Sequence, residues 1–415
     1  MLPGAMRLDG TEEDAAAEAA REVIRSKRLY RYGAGPPGAQ RTQVARLERA
    51  FTARTGADHA LGVNSGTSAL VCAMRGLGIG PGDEVVVPGY TWFSTASAVL
   101  AVGAVPVFAE VDDTLTLDPE SARERLADRS AAIVAVHMRG APARMDALRE
   151  LADDRGVCLI EDVAQANGGS FAGRPLGGIG DAGTFSFGMH KAITAGEGGM
   201  LVTSRPEVHR RAAMYHDAAS PPHIGVGAEE WLPGVNLRLS ELQGAVLGVQ
   251  LDRLDGLVGE MRERRRRLRA RVAAELSGSA YRLRAEHDPA GDTGLALILY
   301  APDLEAAAVD VAALADDNVP ASRLYQDGRE LPYDFIDLHA YPAWSPILAQ
   351  RTWSERGGPW RWHPHEIDYD PGDLPRTMDL LRRAIHIDVS PELTLAQVDA
   401  IGDALAAVVR SPGRS

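Results

Sequence analysis

Apolar positions along this chain follow two different periods. Val44, Leu47 and Phe51 recur at helical spacing, which predicts a helix over Val44–Arg54. An Ala-rich amphipathic run predicts another over residues 11–26. From Ala60 onward, short apolar runs alternate with helical stretches. Ala60–Val63, Val85–Val87, Val105–Phe108, Ala131–Val136, Val157–Ile160, Gly183–Phe187 and Met200–Thr203 read as strands. Ala69–Leu77 and Met145–Arg155 read as helices between them. Such alternation gives a mostly parallel sheet with helices on both faces. Ligands then bind beyond the carboxyl ends of the strands.

The second half is patterned differently. Asn236–Leu254 carries the strongest helical signal, with one apolar stripe of Leu239, Leu242, Val246 and Val249 and another of Leu247, Leu251 and Leu254. A helix apolar on two sides is expected between layers or at a subunit contact. Glu260–Arg271 is expected as a second, solvated connecting helix, because nearly every position is charged. Leu295–Tyr300 reads as a strand, and Leu304–Ala315 and Leu395–Val409 read as helices. With 415 residues the chain exceeds one ordinary core. The expected organisation is a capping segment over 1–45 that includes the Gly/Pro loop Tyr30–Gln40, a large domain over 46–255, and a smaller α+β domain over 256–415.

No charge falls between Glu84 and Glu110, a span long enough to cross a bilayer. Pro88, Gly89, Gly103 and Pro106 interrupt it, so it reads as strand, loop, buried helix and strand. A net charge of −13 argues against nucleic acid or an anionic membrane as a main partner. Cys72 and Cys158 both sit in apolar runs, and the acidic N-terminus has no apolar signal region, so a cytoplasmic protein is expected. Lysine usage is the compositional outlier. There are two lysines against 42 arginines, and Lys191 stands between an apolar run and the Gly-rich Gly196-Glu197-Gly198-Gly199. A guanidinium stays protonated and cannot condense with a carbonyl, so a retained lysine points to a required amine.

Several chemistry-bearing residues fall at predicted strand ends. Asn64-Ser65-Gly66-Thr67-Ser68 is a strand–turn–helix junction, which aims backbone N–H groups at one spot and suits a phosphate. Trp92 offers a flat face, Asp162 a carboxylate, Ser186 a hydroxyl and Lys191 an amine. Pyridoxal phosphate needs all five kinds of group: N–H and hydroxyl donors for its phosphate, a face for its ring, a carboxylate for its ring nitrogen and an amine for its aldehyde.

In this arrangement the chain resembles the DegT/DnrJ/StrS family of pyridoxal-phosphate-dependent aminotransferases, known for making amino sugars and aminocyclitols. The resemblance rests on Asn64–Leu70, on Glu161-Asp162-Val163-Ala164-Gln165-Ala166, and on Ser186-Phe187 five residues before Lys191. Thr194, Gly196–Gly199, Asn236-Leu237-Arg238 and Ser240-Glu241-Leu242-Gln243 complete it, in order, over residues 30–255. It implies a type I fold, with a mostly parallel seven-stranded sheet in a three-layer large domain plus a smaller C-terminal domain. It implies that Lys191 joins the cofactor aldehyde as a Schiff base and that Asp162 pairs with the ring nitrogen. Trp92 and Ala164 would flank the ring, Gln165 would reach its hydroxyl, and Gly66, Thr67 and Ser186 would hold the phosphate. Asn236 would reach the cofactor of a second subunit, so a homodimer with shared sites is expected. The activity implied is ping-pong transfer of an amino group from L-glutamate or L-glutamine to a keto sugar, keto cyclitol or related carbonyl. A dehydratase or other lyase on the same fold is the alternative.

Three residues are candidates for substrate contact: His137 and Arg139 in His137-Met138-Arg139-Gly140, and His190 beside the lysine. Arg139 stands where relatives often have an aromatic. It suits a carboxylate of donor or acceptor, or else a surface ion pair. Four tryptophans, Trp344, Trp353, Trp360 and Trp362, cluster late in the chain, as an aromatic wall for the acceptor or as packing in a domain short of aliphatic residues. His363 and His365 lack a clear third ligand, so no metal is expected.

Overall fold

A computed structural model describes residues 10–32, 42–218, 221–327 and 337–410. Most of the predicted Gly/Pro loop, residues 33–40, lies outside them. The large sheet has seven strands: β1 His59–Val63, β2 Glu84–Pro88, β3 Val105–Ala109, β4 Ser130–Val136, β5 Cys158–Asp162, β6 Ala182–Ser186 and β7 Gly199–Thr203. Their spatial order is β1-β7-β6-β5-β4-β2-β3. Neighbours from β6 to β3 pair in parallel, while β7 pairs antiparallel with both β1 and β6. Six strands therefore share one direction, and their carboxyl ends form one edge. Asn64, Tyr90, His137, Asp162 and Ser186 all lie on that edge or just beyond it.

Side chains alternate across the sheet, so each strand feeds two apolar layers. Val63, Val85, Val87, Val134 and Ile160 join one layer, under the helices Gly66–Leu77, Ser94–Ala101 and Pro206–His216. Ala60, Val86, Ile133, Leu159 and Phe185 join the other, under Gln43–Thr55, Met145–Arg155 and the front of a long helix. This is the three-layer arrangement expected from the alternating pattern. The uncharged stretch resolves into β2, the helix Ser94–Ala101 and β3, and among the described residues no helix is long and apolar enough to cross a membrane.

A second sheet is antiparallel, in the order β8-β9-β11-β10, with β8 Arg282–Leu283, β9 Ala296–Tyr300, β10 Ala321–Arg323 and β11 Ala384–Asp388. Leu297, Leu299, Ile385 and Ile387 face their own core beneath Leu304–Asp316 and Leu395–Arg410. Ile298, Tyr300 and Ala384 face the first apolar layer of the large sheet.

The two helices expected over 236–254 and 260–271 are one helix, Glu241–Ala273. A capping box starts it: the Ser240 hydroxyl accepts from the Gln243 N–H, and the Gln243 side chain accepts from the Ser240 N–H. Its charged half is not a solvated connector. Arg265 is buried, donates from Nε to the Ala296 carbonyl at 2.9 Å and pairs with Glu286. Arg264 donates to the Leu393 carbonyl and Arg262 to the Asp292 carbonyl, both at 2.7 Å. Arginine buries its stem while its planar head ties down carbonyls and carboxylates, so a charged sequence can form a packed surface.

The tryptophan cluster divides. Trp344 and Trp360 are buried, and Trp344 packs edge-on against Phe108 of β3 at 5.4 Å. Trp360 donates to the Tyr369 hydroxyl, which donates to the Pro106 carbonyl. Trp353 and Trp362 are exposed. The two inner rings are core packing beneath β3 and not an acceptor wall. Trp344→Ala is expected to cost about 3–5 kcal/mol, and Trp353→Ala to stay within about 0.5 kcal/mol. Urea unfolding midpoints of the two variants check this; equal shifts would contradict the division.

Candidate active site

Asp162 ends β5 and is 6% exposed. Its Oδ1 accepts from the Ala164 N–H at 3.1 Å, and its Oδ2 accepts from the Thr95 hydroxyl at 3.0 Å. Thr95 is itself fully buried and shares a 2.8 Å contact with the Thr91 hydroxyl. Among the described residues Asp162 has no ion-pair partner. Burial pushes its carboxyl up, against the opposing pull of these donors, of Lys191 and of His137.

Lys191 lies in the loop between β6 and β7, where its N–H donates to the Gly188 carbonyl at 3.0 Å. Burial lowers the pKa of its ammonium group; Asp162 opposes this and the Arg139 cation adds to it. The three groups are therefore close enough to feel one another's charge. Met189 and His190, just before the lysine, are exposed.

The helix Gly66–Leu77 begins beside this pair. Ser65 caps it by accepting from the Ser68 N–H at 3.0 Å. The N–H groups of Gly66 and Thr67 make no hydrogen bond among the described residues, which leaves the donors expected of a first helical turn. A side chain at position 66 would put its Cβ 2.7 Å from Ser186 Cβ. Only glycine lets the end of β6 and the helix start approach this closely, which brings the Ser186 hydroxyl to the free N–H groups.

Trp92 and Gln165 stand on the two loops that flank Asp162. The Trp92 ring lies 5.0 Å from that of His339, and the Gln165 amide nitrogen is 3.3 Å from His339 Nε2. Gln165 Oε1 also accepts from the Arg139 N–H at 3.1 Å. Ala164 is half-buried beside Asp162. Thr95, Tyr90 and His339 were not anticipated as site residues. Thr91 and Thr95 at helical spacing after Tyr90 were the only local signal for the threonine. His339 arrives from far along the chain with no local signal at all.

Two predicted residues lie apart. His137 is fully buried; its Nδ1 accepts from the Ala143 N–H at 3.0 Å, so Nε2 carries the proton and faces Glu161 Oε2 at 3.3 Å. Both nitrogens are engaged by the protein, which leaves none for a substrate. Asn236 is exposed on a strand-like bridge to Asp217 and touches none of the residues above.

Three comparisons bear on this arrangement. A sequence model of the DegT/DnrJ/EryC1/StrS aminotransferase family matches residues 11–345. The chain is 41% identical over 370 residues to the L-glutamine:2-deoxy-scyllo-inosose aminotransferase of Streptomyces paromomycinus, covering 85% of this chain and 82% of that protein. It is 34% identical over 401 residues to the dTDP-3-amino-3,4,6-trideoxy-alpha-D-glucose transaminase of Streptomyces venezuelae, covering 96% and 94%. Among solved structures, 3-amino-5-hydroxybenzoic acid synthase superposes with a TM-score of 0.80 at 27% identity, covering 99% of this chain and 98% of that one. DesV of S. venezuelae superposes with a TM-score of 0.76 at 31% identity, covering 99% of both. The residues present fit pyridoxal phosphate: free N–H donors beside a hydroxyl for the phosphate, and a buried carboxylate without a cation for a protonated ring nitrogen.

The charge arrangement makes a pH prediction. The neutral amine is the reactive form of Lys191, and its pKa is lowered. Capture of added pyridoxal phosphate by the apoprotein, followed by visible absorbance, should rise with pH through a midpoint below the ordinary lysine value of 10.5. Arg139→Gln removes a cation that favours the neutral amine, so its midpoint should move up. A midpoint at the ordinary value, or a downward move in the variant, contradicts the arrangement.

Proposed function

The chain belongs to the DegT/DnrJ/EryC1/StrS aminotransferase family and is a pyridoxal-phosphate-dependent aminotransferase. On that premise we propose that it transfers the amino group of L-glutamine or L-glutamate to a keto-cyclitol or keto sugar of secondary metabolism, in the cytoplasm. The observation that carries the reaction is the buried Asp162 carboxylate, without an ion-pair partner among the described residues, at the same sheet edge as the free N–H groups of Gly66 and Thr67 and the Ser186 hydroxyl. The acceptor class is supported by the 41% identity to an aminotransferase named for a cyclitol ketone. The relative named for a dTDP sugar keeps keto sugars in the reading.

Within this reading each side chain has one task. Lys191 holds the cofactor aldehyde, and Asp162 holds a proton on the ring nitrogen. Trp92 and Ala164 bound the ring, Gln165 meets its hydroxyl, and Gly66, Thr67 and Ser186 bind the phosphate. When bound, the cofactor supplies an electrophilic carbonyl and a ring that withdraws electrons from the donor Cα. With the cofactor bound, Lys191 Nζ would act as the neutral base that takes the proton from that Cα. Its lowered pKa keeps a larger neutral fraction available at physiological pH. In the return half, the same nitrogen would give a proton to the acceptor carbon that receives the amine.

A second copy of the chain completes the site in this proposal. Asn236 is exposed, and Trp231, Leu232 and Val235 just before it are 41–50% exposed. Met189, next to the lysine loop, is 49% exposed. Apolar side chains flanking a polar one suit an isologous contact that carries Asn236 to the neighbouring site. The same reading divides the chain into a capping segment (1–45), a cofactor-binding domain (46–255) and a small domain (256–415), with no nucleic acid or membrane partner.

The holoenzyme should form keto acid from L-glutamine or L-glutamate in the presence of 2-deoxy-scyllo-inosose or a dTDP-keto sugar, and mass spectrometry should find the donor nitrogen in the acceptor. Lys191→Ala should lower turnover by about a thousandfold or more. Product that has lost oxygen without gaining nitrogen would favour a lyase instead. For the shared site, Lys191→Ala and Asn236→Ala chains are mixed and allowed to exchange. One intact site in each mixed dimer should restore about a quarter of wild-type activity. Activity no higher than the sum of the two variants alone would refute sharing.

A further inference from the structure

Arg139 occupies a backbone conformation that few side chains tolerate. Its φ is 52° and its ψ 37°, the left-handed region, where a Cβ crowds the following carbonyl. The surrounding contacts enforce this. Gln165 Oε1 takes the Arg139 N–H at 3.1 Å, and Gly140, at φ 84°, accepts from the Thr293 N–H at 3.0 Å. A Cβ at position 140 would lie 2.4 Å from the Thr293 hydroxyl. The turn is thus pinned between Gln165, beyond the end of β5, and Thr293, just before β9.

The guanidinium is fixed at one corner only. Nε donates to the Tyr90 hydroxyl at 3.2 Å, while Nη2 is buried with no acceptor. The other buried arginines contrast with it: Arg31 pairs with Glu48 at 2.7 Å, Arg284 with Asp292 at 2.9 Å, and Arg265 with Glu286. Arg139 has no ion pair among the described residues; Asp388 and His386 of the small sheet influence it only through space. A half-buried guanidinium with an unused donor face is a ready-made partner for a planar oxyanion.

We infer that Arg139 anchors the α-carboxylate of the amino donor and so distinguishes an α-amino acid from a plain amine at this site. This rests on reading Lys191 and Asp162 as the cofactor site. In an α-amino acid the carboxylate hangs on the carbon that bears the reacting amine, so its anchor must stand beside the lysine. Arg139 is held at this site by Gln165, three residues beyond Asp162, which takes its N–H at 3.1 Å, and by Tyr90, two residues before Trp92, which takes its Nε at 3.2 Å. A keto-cyclitol bears hydroxyls and no carboxylate, and the diphosphate of a nucleotide sugar lies several bonds from the carbonyl that reacts. The donor is therefore the substrate that brings an anion to this spot. Tyr90 supports the fork through Nε and acts as a positioning residue.

The test uses holoenzyme and separates the two half-reactions. In single turnovers with L-glutamine, Arg139→Gln should raise the half-saturating concentration by about thirtyfold or more, with the acceptor constant changing by less than about threefold. Decarboxylated glutamine, 4-aminobutanamide, should react equally poorly with wild type and variant. Spectral titration with α-methyl-L-glutamine, which has no Cα proton to lose, should show its dissociation constant rising by a similar factor without any turnover. Arg139→Lys keeps the charge without the fork and should recover part of the loss, which also covers the case in which the glutamine variant does not fold. An unchanged L-glutamine constant, or a shift confined to the acceptor, overturns the assignment. Absence of the cofactor's visible band in wild type would instead remove the reading of Lys191 on which it rests.

Discussion

The structure depends on a carboxylate held in the interior without a cation. Asp162 ends a central strand, sealed by one backbone N–H and one threonine hydroxyl, and the cost of burial raises its pKa. Two hydrogen bonds reduce the desolvation cost of a carboxylate but do not cancel it. A protonated ring nitrogen placed against it turns that cost into binding energy for one protonation state of one ligand. Lys191 is biased the opposite way, toward its neutral form, by the same dry surroundings. Burial thus shifts the acid and the amine each toward its neutral form.

The residue before Asp162 shows why the site is rigid. Side chains alternate along a strand, so Glu161 points to the opposite layer from Asp162. There it accepts from the N–H groups of Gly177, Ile179 and Gly180 at 2.7–2.9 Å and faces His137 at 3.3 Å. Burial opposes its charge, but these contacts outweigh that, and its pKa is lowered. The clamp fixes the loop that leads into β6, and β6 carries Ser186 toward the helix start and the lysine loop. Two adjacent carboxylates therefore divide the work: one builds the frame, and the other remains free for chemistry.

The segments around the second sheet do more than close the fold. Arg284 and Thr293 reach the turn at 138–140, and His339 comes between Trp92 and Gln165. Arginines of the long helix tie its second half to the segments around the second sheet through carbonyls and carboxylates. The substrate side of the site is in this way assembled from pieces more than a hundred residues apart.

Local pattern was enough to determine the alternating strands, the strand–turn–helix junction at Ser65–Thr67 and the carboxylate at a strand end, and residue choice singled out Lys191. Each of these is written in period, spacing or residue choice within a short window, and strand-end placement follows once the sheet is parallel. The continuity of the long helix was harder to read, because charged residues look solvated until their partners, here at Glu286, Asp292, Ala296 and Leu393, are known. His137 looked like a ligand until the fold supplied Ala143 and Glu161 for its two nitrogens. His339 and the unsatisfied face of Arg139 were beyond any window. A side chain's free valence is what remains after every neighbour has been counted, and those neighbours are chosen by tertiary packing.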